Sequence, residues 1–223
     1  MPALLRLAHD WRMELTDEIA AGLVRDYLRP AVRAVPASLA ARVKVRTIRV
    51  TPILEQPEAT SRWRRAFEGA EIWLAAEGDP HDVAMELLLC VGQILWEELS
   101  SEERNQWLDR LRREMEAGVT GEIDDLALEA KNRLLADAAA ARSVRRLEAY
   151  ARASFASTAA EYVHCLWHDV TVRTGPEHLP ARWLRARLEL LQKWFPPDRG
   201  YQLFAPEPQR GTGSEGASEA NPA

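Results

Sequence analysis

Apolar positions are densest over residues 79–99, DPHDVAMELLLCVGQILWEEL, where Val83, Ala84, Met85, Leu87, Leu88, Leu89, Val91, Ile94, Leu95 and Trp96 leave no broad polar face. A helix that is apolar nearly all round belongs in the middle of a fold. Its start is marked by Asp79 as a cap, Pro80 at the first helical position, and Asp82 placing negative charge at the positive end of the helix dipole. One stripe interrupts the apolar surface: Glu86, Cys90, Gln93 and Glu97 recur at helical spacing and share a face. Glu86 and Glu97 fit two readings equally, the lining of a cleft and a solvated edge.

The rest of the chain arranges itself around this helix. Residues 16–35 carry Ile19, Leu23, Val24, Tyr27, Leu28, Ala31 and Val32 at helical spacing, with Thr16 and Asp17 as caps and Pro30 as a kink or an end. Val43, Val45, Ile48 and Val50 then mark a strand, and AEIWLAAE a second one that ends at Gly78. Between them RWRRAF reads as a basic-aromatic turn of helix or a loop, solvated on its charged side with Trp63 and Phe67 buried. After the central helix, SSEERNQWLDRLRREMEAG has serine caps, early glutamates and a closing glycine. A loop and an alanine-rich helix follow. A long helical pattern from 143 to 172 buries Leu147, Tyr150, Phe155, Tyr162, Val163 and Leu166, and HLPARWLRARLELLQKWFPP supplies the last helix. Residues 205–223 are rich in Pro, Gly, Ser and Glu and are expected to be disordered. The expected fold class is therefore α+β and predominantly helical, a single domain over 1–204 with a small strand layer packed on the buried central helix.

Composition narrows the function classes. A net charge of −5 and a pI near 5.7 provide no basic footprint for phosphates, so no nucleic-acid partner is expected. The first residues carry too short an apolar run for a signal peptide, and no stretch suits a membrane span, which gives a cytoplasmic expectation and no membrane partner. Two cysteines, both in predicted helices, are expected as reduced thiols. His81 belongs to the helix start, His178 to a solvated loop, and His9 has no nameable partner.

The sequence of a strand, an edge-type strand ending in glycine, a buried helix ending in tryptophan, a helical excursion and a second helix with a central acid resembles the zincin metallopeptidase scaffold. LLLCVGQILWEELSSEERNQW is similar to the zinc-binding helix of small zincin-like metallopeptidases, in which leucines precede H-E-x-G-H and a tryptophan often follows. On that pattern Leu89 occupies the first histidine position, Cys90 the glutamate and Gln93 the second histidine. FASTAAEYVHCLWHDV resembles the helix that, in the gluzincin branch, carries a glutamate as third ligand, and Glu161 matches it. The likeness covers about residues 43–200. It implies a zincin-like fold in which the catalytic set is degenerate.

The chemistry shows what that degeneracy costs. Two histidines four residues apart grip zinc, a third side chain completes the protein ligands, and the glutamate takes a proton from the bound water. Leu89 cannot coordinate, Gln93 offers a neutral oxygen, and Cys90 lacks the reach of a carboxylate base. The expectation is a non-catalytic pseudo-metallopeptidase without a cofactor, serving as a protein or peptide binding module, with oligomeric state left open. Two alternatives stand beside it. One is a zinc-dependent hydrolase with a rearranged site on Glu161, His164, His168 and Cys90, or a Cys90 nucleophile served by a histidine. The other is a structural helical interaction protein unrelated to zincins.

Overall fold

The structure, a computed structural model, describes residues 3–16, 18–56, 58–168 and 175–204. Five strands form one mixed sheet: β1 (Ala3–Arg6), β2 (Arg12–Leu15), β3 (Val45–Thr51), β4 (Ser61–Ala66) and β5 (Gly69–Ala75), in the spatial order β1-β2-β3-β5-β4. The inner pairs β2/β3 and β3/β5 are parallel, while the edge strands β1 and β4 are antiparallel to their neighbours. Ten residues or more separate the strands of each parallel pair, because a parallel return needs a crossover. The crossover from β2 to β3 is helical: a π-helical turn (Leu23–Leu28), then α1 (Arg29–Ala34) and α2 (Ala37–Val43).

The strand expectations hold at β5 and, from Val45 on, at β3, whereas Val43 closes α2, which the left-handed Lys44 ends. RWRRAF is instead the edge strand β4 with its turn, and Phe67 is fully exposed rather than buried. The physical reason is alternation. Met13, Ile48, Ile72 and Trp63 stand side by side across β2, β3, β5 and β4 on the face that meets the helices. On the opposite face Glu14, Arg49, Trp73 and Arg62 form the next row, and the guanidinium groups of Arg49, Arg62 and Arg64 all stack on the Trp73 ring at 4.9 to 5.2 Å. Two of the three arginines of β4, Arg62 and Arg64, thus cover one aromatic ring. The helix expected over 16–35 begins later: Thr16 extends β2 through its N–H to the Val50 carbonyl, and Asp17 lies outside the described residues. The helix does not end at Pro30. A π-helical turn precedes it, and that turn's different hydrogen-bond spacing lets the proline sit at the start of α1.

The central helix α3 (Pro80–Glu98) starts as its sequence dictates, with the Asp79 carboxylate accepting from the His81 N–H at 2.8 Å. It lies against β4 and β5 on one side and along α7 (Val144–Trp167) on the other. The two helices touch backbone to backbone where Gly92 meets Ala156, since a Cβ added to Gly92 would stand 2.5 Å from the Ala156 carbonyl oxygen. Between them in the chain run α4 (Ser101–Glu116), α5 (Asp125–Leu135) and α6 (Ala138–Ala141), and α8 (Ala181–Trp194) follows α7. Ser100 and Glu103 complete a reciprocal capping box at the start of α4. No helix among the described residues is long and apolar enough to cross a membrane. The tail from 205 lies outside the described residues.

Candidate functional site

The polar stripe of α3 is the seat of the edge strand. Alternate residues of β4 point down onto it: the Ser61 hydroxyl donates to Glu86 at 2.6 Å, the Trp63 indole N–H donates to the Gln93 side-chain oxygen at 2.9 Å, and Arg65 pairs with Glu98. Cys90 lies beside Ser61 and Glu86, 1% exposed, on the face of α3 turned away from Gly92 and α7. Burial pushes its thiol up to about 12; the Glu86 charge adds to this and the Ser61 hydroxyl opposes it. Such a thiol is a packing group rather than a nucleophile. Glu97 turns the other way, to an ion pair with Arg152 of α7 at 2.6 Å.

Leu89 and Gln93 also line a cleft of about 470 Å³, which opens between α3, α5 and α7. Trp96 and Glu97 continue its α3 wall, Asp124 and Leu126 stand at the start of α5, and Arg145, Glu148, Ala149, Arg152, Ala153 and Ala156 form the α7 wall. Asp124 caps α5, accepting from the Ala127 N–H at 2.7 Å. Burial raises its pKa above the ordinary 3.8, against the lowering effect of that bond, and Glu122, Asp125 and Glu86 push in the same direction as burial. Leu89 and Gln93 therefore share a wall of one cavity, while Cys90 faces β4.

Glu161 is not among the residues lining that cleft. It lies more than a turn farther along α7, where its carboxylate comes within 3.5 Å of His164 Nδ1 and 3.9 Å of Cys165 Sγ. Burial, with the Glu161 charge, raises the Cys165 pKa well above that of a free thiol. Of the rearranged set, the structure brings Glu161, His164 and His168 together and leaves Cys90 on the opposite side of α3. The place expected for Cys90 is taken by His81. Its Nε2 stands 3.0 Å from His164 Nε2, and the His168 ring stacks on His164 at 5.2 Å and meets His81 edge-on at 5.6 Å. His81 thus does more than begin a helix. His178 joins a short parallel bridge with Glu122, and His9 packs its ring near Trp11 at 5.8 Å.

Sequence reasoning missed a buried charge network at the far end of the helical layer. Arg187 of α8 reaches both Glu114 of α4 and Glu122; Lys131 of α5 and the Tyr150 hydroxyl also bond Glu122, and all five side chains are sealed from solvent. Burial alone would raise the pKa of Glu122, but the charges of Arg187 and Lys131 and their hydrogen bonds outweigh it and hold the carboxyl below its ordinary range. A signal was present in the periodicity. Arg187 falls in the stripe of Leu184, Leu188 and Leu191, Glu114 follows Trp107 and Leu111, and Lys131 lies between Ala127 and Leu134. A charge on the apolar stripe of each of three helices is the mark of one shared buried network.

No family model, no curated protein and no solved structure matches the chain.

Proposed function

We propose that this chain is a non-catalytic binding module on a zincin-like frame, taking an extended protein or peptide segment in the cleft beside Leu89 and Gln93. The carrying observation is the cleft itself, whose volume of about 470 Å³ suits an occupant of a few side chains. Its walls support binding rather than hydrolysis. At the two positions where a zinc hydrolase needs imidazoles stand an aliphatic side chain and an amide whose oxygen is engaged by Trp63. The α7 wall presents Arg145, Glu148, Ala149, Arg152, Ala153 and Ala156, with no imidazole among them. Alanines leave room along the groove, Leu89, Trp96 and Leu126 offer apolar surface, and Glu97 and Arg152 give polar anchor points. The edge strand β4 reaches the same wall through Trp63, so its outer backbone groups are in place to pair with an added strand.

Phage-displayed twelve-residue peptides, panned on the wild-type protein and on a variant with the cleft filled by Ala153→Trp, test the reading. Enrichment on the wild type that is lost on the filled variant supports it. Cleavage of the selected peptides, or equal enrichment on both proteins, overturns it.

A further inference from the structure

The cleft beside Leu89 and Gln93 continues along α5. A second cavity of about 320 Å³, lined by Ala130, Arg133, Ala136, Arg146 and Ala149, adjoins it and shares Ala130, Arg133 and Ala149 with it. Together they make one trough between α5 and α7, floored by alanines of both helices. Its two ends differ in charge. Asp124 stands at one end, with Leu126 64% exposed beside it, and Arg133 and Arg146 stand at the other.

Asp124 is partly buried, and its one hydrogen bond brings the Ala127 N–H to Oδ1. Among the described residues no arginine or lysine pairs with it, although four arginines line the same cleft. Arg152 is paired with Glu97, Arg133 with Glu129, Arg104 bonds the carbonyls of Trp96 and Glu97, and Arg145 is exposed. The helix dipole does not answer the charge either: a helix start carries about half a positive charge, whereas Asp124 and Asp125 bring two negative ones. The raised pKa of Asp124, from burial first and the neighbouring acids next, is that of a carboxylate without a counter-cation.

At the other end the imbalance is reversed. Arg146 Nη1 donates to the Arg133 carbonyl at 2.9 Å, which holds the guanidinium at the last turn of α5. No carboxylate among the described residues pairs with Arg146, so its remaining N–H groups form a fork suited to one. Nine residues of helix separate Asp124 from Arg133, about 13 to 14 Å at a rise of about 1.5 Å each. An extended chain covers that span with about four residues.

We infer that the trough binds free oligopeptides of about four residues, with the N-terminal ammonium on Asp124 and the C-terminal carboxylate on Arg146. The inference rests on the reading of the cleft as a peptide site and gives that site its ligand class: short peptides with both ends unblocked, their apolar side chains against Leu89, Trp96 and Leu126. Binding makes and breaks no covalent bond. It matches each unpaired charge of the trough with one end of the peptide.

The full chain is dialysed against a pooled library of unmodified tetrapeptides, and mass spectrometry identifies those it retains. Calorimetry then compares the best of them with their N-acetylated and C-amidated forms. Each blocking group should weaken binding about ten- to a hundredfold, the loss of one hydrogen bond to a charged group. Asp124→Asn, which still caps α5, should bind free and acetylated peptide alike, and Arg146→Gln free and amidated peptide alike. Ala153→Trp should abolish retention, and circular dichroism confirms that each variant is folded. Retention of no tetrapeptide overturns the inference, whatever the panned twelve-residue peptides do, and so does a blocking penalty that persists in Asp124→Asn and Arg146→Gln. Equal binding of free and doubly blocked peptides also overturns it; if that binding is lost on Ala153→Trp, the cleft still takes a peptide segment and only the assignment of its ends fails.

Discussion

Arg187 and Glu114 meet as a fork, the guanidinium Nε at 3.1 Å and Nη2 at 2.5 Å from the same carboxylate oxygen, with both side chains wholly excluded from solvent. The pair joins α8 to α4, and the remaining guanidinium nitrogen carries the connection on to Glu122 at 2.8 Å. A buried pair of this kind adds little over a well-packed apolar replacement of all its members, yet removing one member strands the others. Arg187→Ala is therefore expected to lower unfolding free energy by about 3 to 5 kcal/mol. Arg187→Lys should restore little of it, since an ammonium cannot reach two carboxylates with paired bonds. Urea unfolding followed by tryptophan fluorescence measures both; a loss under about 1 kcal/mol for Arg187→Ala would contradict the network's structural role.

Gly92 and Ala156 set the spacing of the two central helices. Replacing a mid-helix glycine by alanine favours the helix by about 1 kcal/mol when the site is open. Here the new methyl would stand 2.5 Å from the Ala156 oxygen and 2.9 Å from its Cα, both backbone atoms that cannot swing aside. Overpacking of a core costs about 1 to 3 kcal/mol, and a clash with backbone lies at the upper end, so the penalty wins. Gly92→Ala should lower Tm and widen the α3/α7 separation. A Tm unchanged or raised in differential scanning calorimetry would mean that the helices are not held at this distance.

The fold was legible wherever a local rule acts alone. Asp79, Ser100 and Glu103 set helix starts by hydrogen bonds within the first turn and Pro80 by its fixed φ, while β3 carries a run of β-branched residues and β5 an Ile-Trp-Leu run. Legibility failed where a partner distant in sequence decides. The four-residue strands β1 and β2 carry no alternation long enough to see, and β4 is charged because its outward arginines cover Trp73, a residue of the next strand. The polar face of α3 was visible as a stripe, but its partners Ser61, Trp63 and Arg65 were not. The likeness to a third-ligand helix gave Glu161 a part to play. Its register along α7 decides otherwise, because the point where Gly92 touches Ala156 sets which residues face the cleft. His81 could not be joined to His164 from spacing, since their meeting depends on the antiparallel crossing of α3 and α7.

Cys90 is expected to be inert in the folded protein. Its thiol has a pKa of about 12 and sits against Ser61 under the edge strand, so at pH 8 only about one molecule in ten thousand carries the thiolate. Iodoacetamide added to native protein at pH 8 should leave Cys90 unmodified over hours, and the same reagent in 6 M guanidinium should alkylate it fully. Peptide mass mapping reads the outcome. Rapid native alkylation would place Cys90 in an accessible, activated environment and reopen the nucleophile reading.

Acid stability should depend on Glu103. This carboxylate receives two bonds from the Arg42 guanidinium, at 2.9 and 3.0 Å, and also accepts from the Ser100 backbone N–H at 2.8 Å. The bonds from Arg42 are the largest influence; burial opposes them, the contacts to Ser100 assist, and the pKa falls from an ordinary 4.5 to about 2. A carboxyl whose pKa is lowered by folding contributes stability that is complete above its unfolded pKa and is lost as pH falls through the folded one. For Glu103 that window runs from about 4.5 down to about 2. Glu103→Gln should therefore destabilise the protein at pH 7 by about 1 kcal/mol, the usual worth of a capping contact. The deficit should shrink as pH drops through the window, until wild type and variant converge near pH 2. Urea midpoints measured at intervals from pH 7 to pH 2 trace the two curves, and a gap that stays constant or widens toward low pH would show that the Arg42 contact does not hold the charge on Glu103.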